Sequence, residues 1–304
     1  MRALLIVNPH ATSTTAGGRD VLAHALASDA KLEVVHTGHR GHATEAAARA
    51  ATDGVDLVVV HGGDGTVNEA VNGMLAGGVG DAVPMIGVVP GGSANVFGRA
   101  LGISTDPVEA THQLLTAIEA RRWRTVGLGL ADDRWFTFSA GLGWDAEVVA
   151  TVDRKRTKRA SQSLYTRAAL INYVRQHANP PSLTVDLPGE PVLTDLRMAF
   201  VSNTDPWTYL GDRPIRLNPG CSFDGGIALF ALRTLALATV LRHLRQAMAS
   251  EPRTHGKHLV RRDDVDWIVA SSPRPVLLQV DGDLVGERGT VTFRRVPRAL
   301  RVAI

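Results

Sequence analysis

The sequence predicts an α/β protein with two domains: an N-terminal, Rossmann-like, doubly wound parallel-sheet domain over residues 1–124 and a C-terminal β-rich sandwich domain over residues 125–286. Two observations support this fold class. Up to Val89, apolar β-type runs alternate with alanine-rich helical stretches, and after about Arg124 strand-like segments follow one another with few helices between them. The chain has 304 residues, 44% of them hydrophobic, which is enough for two ordinary domains.

Four apolar runs predict the strands of the N-terminal sheet: Ala3–Val7, Leu32–His36, Leu57–Val60 and Met85–Val89. Amphipathic helical stretches lie between them, at Asp20–Ala27, Ala43–Ala51 and Val67–Leu75. Continuous apolar strands flanked by helices are typical of a parallel sheet that is buried on both faces.

The second half of the chain is predicted to form an antiparallel sheet or sandwich. Its strand-like segments are Arg134–Ala140, Ser182–Leu187, Leu196–Ser202, Gly226–Leu232, Pro275–Asp281 and Gly289–Arg294. Two helical stretches, Gln162–His177 and Leu235–Met248, could lie at a bilayer interface or pack on the sheet, and the sequence alone does not choose. The turn-rich stretch Asn203–Pro219 is either a loop near a site or a surface excursion.

The single cysteine and the hydropathy pattern restrict the cellular locations expected for the chain. Cys221 is the single cysteine, so no internal disulfide can form and a reducing, cytoplasmic location is expected. The apolar run from Met1 to Val7 is too short for a signal sequence, and no run reaches the roughly 20 apolar residues that a membrane span requires. Any contact with a membrane is therefore expected at its surface.

A basic cluster is one candidate for such a contact. The net charge is only +3, but residues 154–159 read Arg-Lys-Arg-Thr-Lys-Arg. Anionic lipid headgroups or phosphates would bind a cluster of this kind. An ordinary solvated surface is an equally weighted interpretation.

The segment His61–Glu69, with the sequence HGGDGTVNE, is the strongest motif. It falls where the third strand is predicted to end and the next helix to begin, which is the ligand crevice of an open parallel sheet. Its glycines allow a tight turn and let a phosphate approach backbone N–H groups, while the helix N-terminus favours an anion. The Asp64 carboxylate is expected to act through a magnesium ion or to orient neighbouring donors.

A second glycine loop, Pro90–Asn95, follows the fourth strand and offers the hydroxyl of Ser93 and the amide of Asn95. Asn8-Pro9 and Thr37-Gly38 follow the first two strands, so polar strand ends line one edge of the predicted sheet. The chain lacks the P-loop pattern and the dinucleotide fingerprint after the first strand. It also lacks the HExxH pair of zinc enzymes and the GxSxG elbow of serine hydrolases, so these classes are disfavoured.

With these residues the chain resembles a bacterial member of the diacylglycerol kinase catalytic-domain family, whose relatives include sphingosine and ceramide kinases. Beyond His61–Glu69, the resemblance covers Asn8-Pro9, Thr37–Ala43, Gly91–Leu101, Ser139–Asp145, Phe223–Gly225 and Val280–Asp283. It implies an N-terminal nucleotide-binding domain, to which residues 287–304 return, and a C-terminal lipid-substrate domain. It also implies ATP and Mg²⁺ as cofactors, a lipid hydroxyl as acceptor, and peripheral association with the inner face of the membrane.

The resemblance also assigns roles to individual residues. The family's ATP site falls on Asn8, Thr37, Gly62, Gly63, Asp64, Gly65, Thr66, Val67, Asn68 and Ser93. Supporting roles fall on Glu69, Asn95 and Asp145. The family's magnesium site falls on the Asp224 carboxylate with the backbone oxygens of Cys221 and Gly226, although a simple β-turn at Asp224-Gly225 is an alternative.

The catalytic base departs from the family's pattern, because relatives have Asp-Gly-Glu where this chain has Asp281-Gly282-Asp283. The resemblance assigns catalysis to Asp283, with Asp281 beside it. An aspartate can accept the proton of a lipid hydroxyl, but it is one methylene shorter than glutamate, so the substrate must lie closer. The alternative is a hairpin turn at Asp281-Gly282 with a solvated Asp283. A second departure is Val96, where relatives have an aspartate in a polar network to which Asp145 would still contribute.

Three functions are therefore weighed. An ATP-dependent lipid kinase that converts diacylglycerol to phosphatidic acid is favoured. The alternatives are a kinase of a soluble acceptor such as NAD, whose enzymes share the Gly-Gly-Asp-Gly motif, and a non-catalytic nucleotide-binding regulator. The expected partners are ATP, a lipid and the membrane surface, without nucleic acid, and a homodimer is left open.

Overall fold

A computed structural model describes residues 1–12, 14, 16–143 and 182–304. The chain divides into two compact units, one of Met1–Leu128 with Pro297–Ile304 and one of Gly129–Val296. Asp145, the basic cluster at 154–159 and the helix predicted at Gln162–His177 lie outside the described residues. No helix in the described ranges is both long enough and apolar enough to cross a bilayer.

The first unit is built on a parallel sheet. Its strands are β1 (Arg2–Val7), β2 (Lys31–His36), β3 (Leu57–Gly62) and β4 (Met85–Pro90), in the order β2-β1-β3-β4. Helices α1 (Ala16–Asp29), α2 (His42–Thr52), α3 (Asp64–Met74), α4 (Val96–Ala100) and α5 (Pro107–Glu119) connect or follow these strands. All six residues of β3 are buried, as expected for a strand inside a covered parallel sheet.

Local sequence signals fix the helices around this sheet. Asp106 caps α5, since its side chain accepts hydrogen bonds from the backbone N–H groups of Val108 and Glu109, and Pro107 occupies the first turn. Helices α2 and α3 lie in direct contact at Gly73, where an added Cβ would collide with the carbonyl oxygen of Thr44. The glycine therefore holds α3, and the loop before it, close to α2.

The second unit is rich in antiparallel strands. After β5 (Trp123–Ala131), which leads into it, come β6 (Arg134–Phe136), β7 (Ser139–Gly143), β8 (Leu183–Asp186), β9 (Leu193–Leu196), β10 (Met198–Ser202), β11 (Thr208–Leu210), β12 (Arg213–Ile215), β13 (Ile227–Leu232), α6 (Leu237–Ala247), β14 (Leu259–Val265), β15 (Trp267–Val280) and β16 (Asp283–Ala303). Its main sheet has the order β14-β13-β10-β7-β15-β16, and every neighbouring pair is antiparallel.

The long strand β15 pairs with two different sets of strands in this unit. Leu278–Val280 pair with β7, whereas Val269–Ser271 pair with β8, which in turn pairs with β9. Side chains from both parts meet in one buried cluster that includes Phe136, Val201 and Phe293. A second cluster, with Phe200 and Phe230 at its centre, lies under α6.

The predicted fold class is confirmed: a mixed α/β chain with a parallel-sheet core and a strand-rich C-terminal region. The element boundaries differ at the main motif, because β3 continues through Gly62 and α3 begins at Asp64 instead of Val67. The helix starts early because the backbone N–H groups of Thr66 and Val67 both donate to the Gly63 carbonyl oxygen. Gly63 alone separates the strand from the helix.

Several strands of the second unit also differ from the prediction. The segment Arg134–Ala140 is interrupted at residues 137 and 138, which bind a carboxylate instead of a neighbouring strand. Strands β15 and β16 are 14 and 21 residues long, far beyond the short segments predicted. Their half-exposed stretches carry many polar side chains, so the apolar signal covers only part of each strand.

Candidate functional site

The two glycine loops of the first unit touch through their backbones. Gly91 donates its N–H to the Gly62 carbonyl oxygen at 2.8 Å. A Cβ placed on Gly92 would lie 2.7 Å from the Cα of Gly63, and one on Gly63 would lie 3.2 Å from the Cα of Gly92. Side chains at these two positions would therefore separate the loops, which explains the glycines in both motifs.

The first loop ends in the uncapped N-terminus of a helix. Gly63 is the N-cap residue of α3, in an extended conformation, and no side chain caps it. The first turn is made of Asp64, Gly65 and Thr66. Because Gly63 and Gly65 have no side chains, the backbone at the positive end of the helix dipole is accessible. This arrangement favours an anionic group such as a phosphate.

Asn8 joins the end of β1 to this turn. Its Nδ2 donates to Thr66 Oγ1 at 3.0 Å, and its Oδ1 accepts from the N–H of His10 at 3.0 Å. Thr37 follows β2 and donates its N–H to the Val7 carbonyl oxygen at 2.9 Å. The predicted ATP residues at the ends of β1 and β3 are thus brought together, and Thr37 follows the neighbouring strand.

Asn95 shapes the second loop. Its side chain accepts from the N–H of Gly92 at 2.9 Å and donates to the Gly92 carbonyl oxygen at 2.8 Å. Asn95 is in the left-handed region, with φ 48°, which asparagine tolerates better than most residues. Ser93, by contrast, is exposed at the tip of the loop.

Asp64 contacts the residue that follows Val96 in this part of the site. Asp64 Oδ1 accepts a hydrogen bond from the N–H of Phe97 at 3.3 Å, so the carboxylate links α3 to the start of α4. Val96 is 1% exposed, and a buried valine offers no polar side-chain contact at this position. Asp145, the other predicted member of that network, lies outside the described residues.

Glu69 supports the site from α3. Its Oε1 accepts from the N–H of Gly41 at 2.9 Å, and its backbone oxygen accepts from Thr44 Oγ1 at 3.0 Å. The first contact holds the loop that leads from Thr37 into α2, and the second holds the first turn of α2. Asn68 is fully buried, and its side chain accepts from Asn72 Nδ2 at 3.1 Å.

His61 is a buried support residue. Its Nδ1 lies 3.1 Å from the carbonyl oxygen of Val89, which can only accept, so this nitrogen carries the proton. Burial lowers the pKa of His61, so the ring remains neutral at pH 7. The neutral ring ties β3 to β4 where the two glycine loops begin.

The predicted catalytic pair of the second unit lies on a tight hairpin. Asp281 and Gly282 form the two-residue turn between β15 and β16, flanked by the pair Val280 and Asp283. Both turn residues have positive φ, 49° and 81°, as a type I′ turn requires. The hairpin left open by the sequence is therefore present, and Asp283 is partly exposed at its end.

Asp281 points into the protein and binds the interruption between β6 and β7. Its Oδ2 accepts from the N–H and Oγ1 of Thr137 at 2.6 and 2.7 Å, and its Oδ1 accepts from the N–H groups of Phe138 and Ser139 at 3.0 and 2.9 Å. The residue is 4% exposed. Burial raises the pKa of Asp281, and these hydrogen bonds oppose that shift because they favour the charged form.

Two further residues complete this network, and, like Thr137, they are not among the predicted site residues. Asn203 donates to the backbone oxygens of Thr137 and Phe138 at 2.9 and 2.8 Å. The Gln279 side chain accepts from the N–H of Gly282 at 2.9 Å. Thr137, Asn203 and Gln279 are buried polar residues. In the sequence they stand within or next to apolar strand segments, and a polar residue in such a segment is the signal that could have identified them.

Asp224 lies on an exposed turn, in which the N–H of Gly225 donates to the Ser222 carbonyl oxygen at 3.1 Å. The Cys221 carbonyl oxygen accepts from the N–H of Asp205 at 3.1 Å, and the N–H of Gly226 donates to Asp264 Oδ1 at 2.5 Å. In the described ranges no group of three or more His, Cys, Asp or Glu side chains is placed to hold a metal.

The donor types nevertheless fit a hard cation. Magnesium prefers oxygen ligands and keeps several waters, so one carboxylate with two backbone oxygens is a sufficient protein share. The Cys221 carbonyl retains a second lone pair beside the bond from Asp205. The Cys221 thiol is a poor ligand for such an ion, because sulfur is soft and the thiol is buried, where it donates to the Ser202 carbonyl oxygen at 3.5 Å.

Comparison with known proteins identifies relatives of both units. Residues 2–126 match the family model described as diacylglycerol kinase catalytic domain. A diacylglycerol kinase of Bacillus subtilis (strain 168) is 27% identical over 248 residues, which cover 81% of this chain and 77% of that protein. A probable YegS-like lipid kinase of Stenotrophomonas maltophilia (strain K279a) is 26% identical over 273 residues, covering 89% and 86%.

Solved structures share the fold. The crystal structure of a diacylglycerol kinase from Bacillus anthracis str. Sterne has a TM-score of 0.73 at 20% identity, covering 99% of this chain and 96% of that one. An NAD kinase from Archaeoglobus fulgidus in complex with ATP has a TM-score of 0.53 at 13% identity, covering 99% and 93%.

The family match covers both glycine loops and the strand ends that carry the candidate nucleotide site, and the relatives extend through the strand-rich unit. Residues 2–126 therefore match the diacylglycerol kinase catalytic domain, and most of the chain is similar to bacterial diacylglycerol kinases and lipid kinases.

Proposed function

We propose that the chain is an ATP-dependent lipid kinase that transfers the γ-phosphoryl group to a lipid hydroxyl, with diacylglycerol as acceptor and phosphatidic acid as product. The observation that carries this proposal is the backbone contact of Gly63 and Gly92, which places two glycine loops side by side at the ends of β3 and β4. The relatives named diacylglycerol kinase and lipid kinase support the choice of acceptor.

In this proposal the first unit holds ATP. The uncapped start of α3 and the loop at Gly92 face the phosphates with backbone N–H groups, and Asn8, Thr37 and Ser93 contribute polar side chains. Asp64 acts through its contact with the start of α4, which fixes the second loop relative to the first. Catalysis of phosphoryl transfer depends mainly on such positioning and on charge stabilisation.

The second unit supplies the proton acceptor. As the acceptor hydroxyl oxygen bonds to the γ-phosphorus, the bond from that phosphorus to the oxygen of ADP breaks and the hydroxyl proton passes to the Asp283 carboxylate. Asp281 is a positioning residue, because both of its oxygens already accept bonds from residues 137–139. It holds the turn that presents Asp283.

Asp224 and the backbone oxygens of Cys221 and Gly226 would hold magnesium, which supplies positive charge to phosphate groups when it is bound. Arg295 lies beside this position, since its Nη2 donates to the backbone oxygen of Asp224 at 2.9 Å. We place the chain in the cytoplasm, in phospholipid synthesis, at the inner surface of the membrane.

A kinase of a soluble acceptor is the second candidate, and the shared fold of the NAD kinase favours it. The test incubates the purified chain with labelled ATP and magnesium, and with either mixed micelles containing diacylglycerol or NAD in solution. Label in phosphatidic acid is expected, and chelation of magnesium should abolish it. Label in NAD alone would select the second candidate. Nucleotide binding without transfer to either acceptor would indicate a regulator and contradict the proposal.

A further inference from the structure

Helix α6 has an inner face that the fold already uses. His243 is 2% exposed and Ala247 is fully buried. Val240, Leu244 and Met248 pack against the cluster that contains Phe200 and Phe230, and the His243 ring meets the Phe230 ring edge to face at 5.8 Å between centroids. These contacts account for the attachment of α6 to the sheet.

The outer face of α6, formed by Leu237, Ala238, Leu241, Arg242 and Arg245, is left in solvent. Leu237 and Leu241 are 50% and 53% exposed and lie one helical turn apart, so they form a single apolar stripe. Exposed leucines are ordinary when they are scattered, but two on the outer face of one helix are not needed for the core.

Basic groups surround this stripe. Arg242 and Arg245 flank Leu241, and the sequence of α6 contains no acidic residue. Arg213 lies at the C-terminal end of the helix, where its guanidinium donates to the Met248 carbonyl oxygen at 2.6 and 3.1 Å. Gly256 approaches Arg242, which brings Lys257 to the same region. Glu251, an acidic residue that follows α6 in the sequence, has its Oε2 3.7 Å from Nη2 of Arg253.

We propose that the outer face of α6 docks the chain on an anionic lipid bilayer. Leu237 and Leu241 would enter the boundary between headgroups and acyl chains, and Arg242 and Arg245 would remain among the anionic headgroups. This combination of an apolar stripe and flanking cations is what an amphipathic interfacial helix presents. The inference rests on the proposed function for its purpose, since a lipid acceptor resides in a membrane.

A second copy of the chain fits this face less well. An isologous dimer would bring the arginines of one face against those of the other, and like charges across an interface oppose association. An acidic surface is the complementary partner, and the leucine stripe selects a bilayer over a soluble anion because it has apolar area to bury.

The test measures sedimentation with vesicles of phosphatidylcholine alone or of phosphatidylcholine with phosphatidylglycerol. Wild type should bind the anionic vesicles. The double variant Leu237→Gln with Leu241→Gln should reduce the bound-to-free ratio about tenfold, because it removes the apolar stripe. The double variant Arg242→Gln with Arg245→Gln should also reduce the bound-to-free ratio about tenfold. Added salt should produce a similar reduction in wild type, because it screens the charges.

Matched controls come from exposed helix positions of the first unit. Val108→Gln changes an apolar residue that is 76% exposed on α5, and Arg49→Gln changes an exposed arginine at the end of α2. Both should bind vesicles as wild type does. Glutamine has good helix propensity, so unchanged melting temperatures should show that every variant folds.

A direct readout uses a cysteine at the face itself. The single native cysteine is buried, so Ala238→Cys can be labelled selectively with an environment-sensitive dye. Its emission should shift to shorter wavelength with anionic vesicles only.

Vesicle binding that the leucine and arginine variants leave unchanged would overturn the proposal, as would no binding by wild type. A dimer in solution that the leucine variant dissociates would assign the face to a second copy. None of these measurements requires phosphoryl transfer, so a failure of the proposed reaction would not be mistaken for a failure of docking.

Discussion

Asp281 and Asp283 are two carboxylates separated by one glycine, yet their surroundings differ completely. Asp281 is 4% exposed, and its four described hydrogen bonds come from Thr137, Phe138 and Ser139. Asp283 is partly exposed where β16 begins. The proton acceptor must be reachable by the substrate, so the geometry supports Asp283 for that role.

Substitution by asparagine should separate the two roles. Asp281→Asn turns an acceptor oxygen into a donor that faces backbone N–H groups, so we expect a loss of about 1–3 kcal/mol in the free energy of unfolding. Asp283→Asn should lower kcat at least about 100-fold and should change that free energy less than Asp281→Asn does, because Asp283 is partly exposed. Urea unfolding and turnover with diacylglycerol micelles measure both quantities.

The rescue variant sharpens this comparison. Asp283→Glu keeps a carboxylate on a side chain one methylene longer and should retain activity, whereas Asp281→Glu should still destabilise the turn because the space beside residues 137–139 is filled. Equal stability of Asp281→Asn and wild type would contradict a positioning role for Asp281.

Asp205 is a second buried carboxylate, outside the proposed chemistry. Its side chain is 6% exposed and its Oδ2 lies 2.6 Å from Arg216 Nη1, but its buried Oδ1 has no hydrogen-bond partner among the residues that the structure describes. Burial raises the pKa of Asp205 to about 6, against the opposing effect of Arg216. The desolvation of the charged form therefore outweighs the ion pair.

The stability of the chain should accordingly carry a pH dependence from Asp205. The folded chain holds this proton up to about pH 6, while the unfolded chain releases it near pH 4. Asp205 therefore contributes a free energy of unfolding that is fully present below about pH 4 and is lost as pH rises through about 6, by on the order of 1–3 kcal/mol.

The measurement compares urea midpoints of wild type and Asp205→Asn from pH 4 to pH 7. The asparagine variant does not titrate, so its profile should be flatter across that window. An unchanged difference between the two proteins at all pH values would mean that Asp205 has an ordinary pKa.

At the scale of elements, the two glycine loops form a single structural unit through their backbone contact. Gly63 and Gly92 approach so closely that a methyl group on Gly92 would collide with the Gly63 backbone, and one on Gly63 would be tightly confined. The helix start at Asp64 and the turn at Asn95 are therefore held at a fixed separation. We expect nucleotide affinity to depend on this separation more than on any single side chain.

Gly92→Ala tests that dependence. Its Cβ would lie 2.7 Å from the Gly63 Cα, so the loops must move apart and the KM for ATP should rise at least about tenfold. Gly77→Ala is the matched control, because a Cβ there meets nothing within 4 Å. Isothermal titration with a non-hydrolysable ATP analogue reads affinity directly, and equal affinities for both variants would contradict the coupling of the loops.

The glycine loops and the strands before them were predictable from the sequence because their signals are local. Apolar runs located β1 to β4, and glycines marked the turns. The role of Asp281 was not predictable, because its partners at residues 137–139 lie more than 140 positions away. The exact start of α3 was missed because glycine and aspartate lower helix propensity in the turn where the helix begins.

At the scale of the whole molecule, β16 belongs to both units. It begins at Asp283 in the second unit and ends in the first, where Val302 pairs with Ile86 of β4. Leu300 and Val302 are 1% and 0% exposed. The first unit therefore depends on residues that follow the entire second unit in sequence.

Leu300→Ala should destabilise the first unit by about 2–5 kcal/mol, the usual cost of emptying a buried leucine position. Hydrogen exchange should quicken at the amides of β3 and β4 and change little at β10 and β13. Leu278→Ala, a position that is 1% exposed in the second unit, should give the opposite pattern. A uniform increase across both units would show that they unfold together.

The path of β16 also sets an order of assembly during synthesis. Residues 1–128 leave the ribosome first, yet the outer edge of β4 acquires its partner only when Val302 has been made. Until then an apolar strand edge stays open, and open edges pair with other chains. A fragment that stops at Leu128 would keep that edge permanently, so the unit that is synthesised first is the unit that is completed last.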